Sequence, residues 1–385
     1  MVSVILYLLI FVISIFVFSS FIKPAVQNGC LTETDNSRRD FNWRSFLLRG
    51  LIAILLLILL YGLRVNIGTD YEGYEEIYNV THNADFSEYW EKHNSEAKSS
   101  FYVEIGYYII NRICPSYRVL LFVNFILIMI PVLLAIRLFE GEASVPLMLF
   151  IFWTTQFIYS MNGVRFSIAL SLILLSVVFL NRNKIPTYLA LVFLACLFHK
   201  TAMLSLPFIL LMEFDHKKIN TIRNIVYIAF IICFAFVNRY IIDVILLVPL
   251  FERYVNSETY KFASEMNGSL MWLLHIIPVF APLFLVYSKR LLHDRTASFL
   301  TRVCLAEIPF RMMGLYNTWF TRLARIPQVV QVLLIPYLLG TTKNKRTKNY
   351  LLIYYIVWYI FYFIYYIFIN DQGDSIPYQW VFGNF

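Results

Sequence analysis

The sequence predicts an all-α polytopic integral membrane protein, and three observations carry that prediction. Of the 385 residues, 59% are hydrophobic and 15% charged, with a mean hydropathy of +0.66. A soluble domain carries roughly 45–50% apolar and about 25% charged residues, so a water-soluble enzyme is excluded. Aromatic residues reach 18%, with 35 Phe and 27 Tyr; Tyr and Trp anchor at headgroup level wherever a chain crosses an interface. The third observation is where the cations sit. The net charge of +8 gathers in short polar gaps: Arg38, Arg39 and Arg44; Arg182 and Lys184; Lys217, Lys218 and Arg223; Lys289, Arg290 and Arg295; Lys343, Lys345, Arg346 and Lys348. This is the positive-inside pattern, and it accounts for the basicity without a nucleic-acid partner.

At ~20 residues per spanning helix the length allows on the order of a dozen crossings, about 11–13. Apolar runs lie near 2–22, 45–63, 116–139, 144–161, 163–181, 186–199, 200–214, 221–238, 269–288, 298–315, 320–340 and 349–369. The first lacks a basic n-region and an A-x-A-like exit, so it reads as a span rather than a cleaved signal. Segment 240–251 is too short to cross and is expected at the interface. The runs 186–199 and 200–214 meet at His199-Lys200 and are each short of ~20 residues. They are two thin helices or a hairpin whose tip reaches the outer side. With the basic gaps cytoplasmic, the alternation closes. The N-terminus, the acidic Tyr-rich loop 64–115, the loop 252–268 and the tail 370–385, with Asp371 and Asp374, then fall outside. No fixed-period repeat interrupts the chain, so 1–385 is read as one transmembrane domain. Cys30, Cys114, Cys196, Cys233 and Cys304 are scattered without a CxxC spacing, neither a disulfide framework nor a metal site.

The loop after the second run opens Arg64-Val-Asn-Ile-Gly-Thr-Asp-Tyr-Glu-Gly-Tyr. Gly68 permits a sharp turn, and Thr69 or Asp70 is placed to cap the helix that follows. Tyr71, Tyr74 and Tyr78 then share one helix face. That stripe fits two roles, an interfacial seat or a platform on which sugar rings stack with Asp70 aimed into a site. Asp70 and Glu72 could hold a divalent cation only if the backbone there is extended, because residues two apart on a helix diverge.

Charged residues at span ends form the second group. Intramembrane ionisable groups cost about 2.5–3.5 kcal/mol each on insertion scales, so each needs a partner or a purpose. Arg64, Arg165, Lys200, Arg311, Arg322 and Arg325 all fall toward the predicted outer side, where cations are scarce. Singly each could snorkel to headgroups. Together they suit a cationic pocket for a lipid-linked pyrophosphate, because Arg offers bidentate donors to phosphate oxygens. Glu307 is spaced to pair with Arg311 along one helix face. His199 sits at a break between apolar runs beside a cation and is the leading general-base candidate, with His275 behind it. His82, His93, His216 and His293 lie in polar segments. No nucleotide fingerprint, Walker loop, Ser-His-Asp order or zinc spacing is present.

Several of these segments carry a resemblance. Arg64-x-x-x-Gly68-Thr69-Asp70-Tyr71-x-x-Tyr74 is followed by Glu104-x-Gly106-Tyr107 and by Asn162-x-x-Arg165 with Ala169. Further on come Leu194-Ala195-x-x-Phe198-His199-Lys200-Thr201-Ala202, Arg322-Leu323, Pro336 and Ile376-Pro377-Tyr378. In this order the chain resembles the EpsG family of exopolysaccharide polymerases, relatives of Wzy-type O-antigen polymerases. Phe166 stands where such proteins often carry Gln, and Lys200 where a small polar residue is common.

The resemblance implies a glycosyltransferase of GT-C-like architecture in the bacterial cytoplasmic membrane, with its site facing outward. It would join oligosaccharide repeat units carried on undecaprenyl pyrophosphate, by inverting transfer without metal or cofactor, in company with a chain-length regulator protein. Arg165, Arg322 and Arg325, with Arg64 or Arg311, are expected to clamp the pyrophosphate. His199 would take the acceptor proton, with Asp70 as the competing base. A ligase transferring finished chains, and a flippase or exporter of lipid-linked oligosaccharide, are the alternative readings.

Overall fold

The computed structural model describes residues 2–21, 54–95, 103–139, 143–213, 217–246, 276–288, 294–314, 319–368 and 375–384, together with 50, 52 and 291. The architecture is helical. It begins with α1 (Val2–Phe21) and α2 (Leu55–Gly62) and continues through a polar layer of α3 (Tyr71–Asn83), α4 (Phe86–Ser95) and α5 (Ile105–Ile113). Next come α6 (Tyr117–Phe139), α7 (Val145–Phe152), a π-helical turn (Trp153–Phe157), α8 (Ile158–Asn162), α9 (Val164–Asn181) and α10 (Ile185–Cys196). A 3-10 helix (Lys200–Leu211) leads to α11 (Lys217–Leu246), α12 (Ile276–Ser288), α13 (Arg295–Leu305) and α14 (Glu307–Met313). The last helices are α15 (Trp319–Leu323), α16 (Arg325–Gln328), α17 (Gln331–Gly340) and α18 (Lys345–Phe368).

Four stretches, Tyr117–Phe139, Val164–Asn181, Phe320–Gly340 and Lys345–Ile367, are long and apolar enough to cross a membrane. Shorter apolar helices stand beside them at Ser3–Val17, Ile185–Cys196, Lys200–Leu211, Ile222–Ile231 and Ile276–Ser288. The protein is an all-α polytopic membrane protein. Large apolar side chains such as Leu9, Val12 and Phe16 on α1 and Ile353, Val357 and Phe361 on α18 face outward, as helices wetted by lipid tails require. The central helices are α6, α7 and α9. Helix α9 packs between α6 and α10, and α7 between α1 and α17.

Several predicted spans have a different internal build. The runs 186–199 and 200–214 form a hairpin, α10 against the 3-10 helix, with the Tyr188 hydroxyl donating to the Ser205 carbonyl. The run 144–161 is one helical column widened by the π turn at Trp153–Phe157. The run 298–315 divides at Ala306, and 320–340 is three helical pieces with turns at Ala324 and 329–330. Helix α11 runs on to Leu246, so the first half of 240–251 continues a helix instead of forming the separate interfacial segment expected there. The gap with Arg38, Arg39 and Arg44, Cys30, residues 247–251, the loop 252–268, His275, Lys289, Arg290, Asp371 and Asp374 lie outside the described residues.

The bundle has two polar ends. At one, Arg302 donates to the Leu211 carbonyl (Nε 3.1 Å, Nη2 2.9 Å), Glu213 (2.6 Å), Asn224 (2.9 Å) and Ser298 (2.6 Å). Arg223 joins the same carboxylate at 3.0 Å. Asp294 caps α13 through the Ala297 N–H and accepts from the Tyr337 hydroxyl (3.0 Å). Arg223 from the gap before α11 and Asp294 at the start of α13 thus lie at this end of the bundle.

At the other end the C-terminal segment folds back. Strands β1 (Gln379–Trp380) and β2 (Gly383–Asn384) form an antiparallel ribbon, and Trp380 bridges to Arg64. The Val65 N–H donates to the Gln379 carbonyl (3.0 Å) and the Val381 N–H to the Leu63 carbonyl (3.1 Å). Tyr378 is buried, donates its N–H to the Ser3 hydroxyl oxygen (3.0 Å) and donates its own hydroxyl to the Leu60 carbonyl. Its ring meets Tyr7 edge-on at 5.8 Å. Losing one hydrogen bond costs about 1 kcal/mol, whereas emptying a large aromatic site costs about 3–5 kcal/mol. In detergent-solubilised protein, Tyr378→Phe should lower thermal stability slightly and Tyr378→Ala several times more. Equal losses would show that the ring is not the seated element.

Candidate active site

The site end is assembled from three connections. Helix α2 stops at Gly62, where Arg118 donates to the carbonyls of Gly62 (3.0 Å) and Arg64 (2.5 Å). The Gly62 carbonyl ends the helix, where backbone acceptors have no partner within it. Asn66 and Gly68 then take left-handed backbone conformations (φ 50° and 105°), which turn the chain toward α3. A Cβ on Gly68 would sit 2.7 Å from Asn162 Oδ1 and 3.0 Å from the Met161 carbonyl, so glycine is required twice over, by φ and by space. The Thr69 hydroxyl reaches Asn162 Oδ1 at 3.4 Å. The turn therefore rests on the junction between α8 and α9.

Asp70 precedes α3, but its side chain makes no capping bond; neither it nor Thr69 serves as the cap expected from sequence. The carboxylate is exposed and lies in the fields of Arg322 and Arg165. Crowding on its protein side raises its pKa, and the two guanidinium groups pull it partly back. Glu72 stands in the first turn of α3, so Asp70 and Glu72 do not share the extended backbone that a two-acid metal site would need. Among the described residues, no group of three or more His, Cys, Asp and Glu is placed to hold a metal ion.

Arg165 opens α9 and donates to Glu104 Oε2 at 2.7 Å. The other oxygen of Glu104 accepts from the Lys200 N–H at 3.2 Å. Beside it the Gly106 N–H donates to the Leu197 carbonyl at 2.8 Å. A Cβ on Gly106 would lie 2.6 Å from that oxygen, so the approach is open only to glycine. His199 sits in the turn 197–199, outside both arms of the hairpin. Its Nδ1 lies 2.6 Å from the Thr201 hydroxyl and its ring is tilted against Phe166 at 4.9 Å. Burial pushes its pKa down to about 4, with Glu104 opposing and Arg165 and Arg322 reinforcing the fall. The ring is neutral near pH 7, the form a proton acceptor needs.

Asp70, Arg165, His199 and Arg322 thus come together, and Glu104 joins them. Arg322 and Lys200 are exposed. The remaining candidates are placed differently. Arg325 is buried, stacks at 3.7 Å over the Tyr159 ring and donates to the Thr155 carbonyl (3.2 Å) and the Tyr366 hydroxyl (2.9 Å). Arg311 is paired with the fully buried Glu307 at 2.8 Å. Glu307 accepts further from Gln331 (2.8 Å), which accepts from Tyr359 (3.0 Å). Arg64 is sealed at 0% exposure over the Tyr61 ring. None of these three guanidinium groups opens on the surface shared by Arg165 and Arg322.

The tyrosine stripe is also redirected. Tyr71, Tyr74 and Tyr78 are buried, packed on Tyr117, Tyr107 and His82 respectively. The ring faces expected to stack on sugars are covered, and the stripe is the seat of α3. Tyr74 still contributes to the site, since its hydroxyl faces Arg165. Glu104 was not among the candidates read from sequence; its place in the Glu104-x-Gly106-Tyr107 motif was the one available signal.

These elements define a polytopic helical membrane protein with two guanidinium groups, carboxylates and a neutral histidine converging at one end of its bundle. The chain matches the EpsG family over residues 47–380, most of its length, and belongs to that family. Membership supports a role of the polysaccharide-polymerase type. No curated relative and no solved structure matches the chain.

The depressed His199 pKa has a stability signature. The unfolded ring binds its proton near pH 6.5 and the folded ring near 4. Between those values the unfolded chain holds the extra proton, so stability is full above about 6.5 and declines as pH falls through the window. Melting in detergent between pH 7 and 5 should drop more for wild type than for His199→Gln. Parallel pH curves would contradict a buried neutral ring.

Proposed function

We propose that the chain is a polysaccharide polymerase that joins oligosaccharide repeat units carried on undecaprenyl pyrophosphate, at the outer face of the bacterial cytoplasmic membrane. The observation that carries this reading is the convergence of Arg165 and Arg322 with neutral His199 and with Asp70. Outside the cytoplasm no nucleotide sugar is at hand, and a lipid pyrophosphate is the natural activated donor. Arg165 and Arg322 bind its phosphate oxygens and neutralise the charge that grows as the leaving group departs. The acceptor hydroxyl oxygen attacks the anomeric carbon. A glycosidic C–O bond forms while the anomeric C–O bond to pyrophosphate breaks, and the bonding pair leaves with the pyrophosphate. His199 receives the hydroxyl proton, with Asp70 as the competing base. One direct displacement inverts the anomeric centre.

Arg325, Arg311 and Arg64 act in this reading as supports behind the clamp. The two guanidinium groups supply the charge neutralisation that a cation would otherwise provide, so the reaction is assigned no metal.

The test is a reaction in detergent with purified protein and the lipid-pyrophosphate-linked repeat unit, with and without EDTA, products resolved by length. A ladder that survives EDTA is expected. Removing a positioned base typically loses 10²–10⁴-fold in rate, so His199→Ala should all but abolish the ladder while still folding. A normal ladder from His199→Ala would remove the base assignment. Wild-type protein that forms no ladder from its native unit would overturn the polymerase reading.

A further inference from the structure

Glu104 is buried, and both of its oxygens are committed. Oε2 holds the Arg165 guanidinium at 2.7 Å, and Oε1 holds the Lys200 N–H at 3.2 Å. The second contact is a helix cap delivered from a distant segment. Lys200 is the first residue of the 3-10 helix, and the first amides of a helix have no partner inside it. The residue before that helix is His199, with an extended backbone and no capping bond of its own side chain. Glu104 therefore supplies what His199 does not, and this leaves the imidazole to Thr201 and to the site.

Two neighbouring contacts hold the carboxylate where it can do this. The Gly106 N–H to Leu197 carbonyl bond (2.8 Å) fixes the start of α5 against the turn. The Asn124 amide donates to the Tyr107 hydroxyl at 3.3 Å, which anchors α5 to α6.

We propose that Glu104 is a positioning residue that sets the distance between the two working halves of the site, by gripping Arg165 with one oxygen and the His199–Lys200 turn with the other. Arg165 binds phosphate and His199 accepts the proton, so a single carboxylate couples donor binding to proton transfer. This assignment rests on the polymerase reading above. The coupling matters because a misplacement of ~1 Å can cost on the order of 10²-fold in rate.

The experiment uses the full-length protein in detergent, with two readouts: steady-state polymer formation, and binding of farnesyl diphosphate with farnesol as the uncharged control. Arg165→Gln should weaken diphosphate binding, raise KM and lower kcat, and His199→Gln should lower kcat with diphosphate affinity unchanged. Glu104→Gln keeps the size of the side chain but cannot accept at both ends. It should do both, weakening diphosphate binding about tenfold and lowering kcat on the order of 10²-fold, with farnesol binding unchanged. Glu104→Asp restores the charge and should recover part of each loss. A side chain needed only for folding would lower the active fraction and leave KM and diphosphate affinity alone. That result, or wild-type behaviour from Glu104→Gln, overturns the proposal. If Glu104→Gln fails to fold, the farnesyl diphosphate affinity of Glu104→Asp decides, and a wild-type value overturns the proposal. Wild-type protein that binds farnesyl diphosphate through Arg165 and Glu104 yet makes no polymer removes the polymerase reading, while the grip of Glu104 on the anion site stands.

Discussion

The end of α10 places a demand that the rest of the site answers. A helix that stops at Cys196 and a second that starts at Lys200 leave a turn whose polar backbone groups must find partners away from bulk water. Segment 104–106 provides them, with the Gly106 N–H for the Leu197 carbonyl and the Glu104 carboxylate for the Lys200 N–H. Because that approach leaves no room for a Cβ, the segment carries glycine two residues after the acid. Once docked, Glu104 reaches Arg165, Tyr107 backs Tyr74, and Tyr74 seats α3 with Asp70 at its start. This turn thus indexes the polar layer to the membrane bundle, together with the Thr69–Asn162 contact and the packing of Tyr71 on Tyr117.

Charge inside the bundle divides into two kinds. Glu307, Arg311, Gln331 and Tyr359 form a closed chain of partners, and Arg325 takes a carbonyl from the widened π turn together with two tyrosine rings. Groups so fully engaged stabilise the arrangement of helices; breaking such a buried pair by deleting one member is costly, because the other is left uncompensated. Arg165 and Arg322 differ in keeping exposure to solvent. Exposure, rather than the mere presence of a guanidinium near a span end, separates the groups able to meet an anion from those that hold the bundle together.

That distinction marks how far the sequence could be read. Apolar runs mark the long spanning helices because membrane insertion acts on local composition. The turn at Gly68 and the pairing of Glu307 with Arg311 are legible for similar reasons, each being a local exception to the apolar background. The sequence does not say what a face will meet. Tyr71, Tyr74 and Tyr78 share a side of α3 by periodicity, yet that side turns inward to Tyr117 and Tyr107. Arg322 and Arg325 look alike in the chain and part company only when α16 packs beside the π turn. Glu104 lay in an acidic loop among other acids, and its contacts with Arg165 and Lys200 span 61 and 96 residues. No local pattern encodes such separations.

Arg64 shows how the termini enter the same structure. Moving a guanidinium out of water costs several kcal/mol, and this one is wholly sealed. The compensation is aromatic: its guanidinium carbon lies 4.2 Å over the Tyr61 ring, and Tyr7, Tyr117 and Tyr378 share its field. A desolvated cation over an aromatic face gains about 2 kcal/mol or more, which offsets part of the burial. Tyr7 comes from α1, Tyr61 from α2, Tyr117 from α6 and Tyr378 from the C-terminal segment. The ring set is complete only when both ends of the chain are in place. The same C-terminal ribbon bridges to the backbone of Arg64, at the head of the loop that carries Asp70. The tail is therefore joined through the backbone at Arg64 to the loop that opens α3.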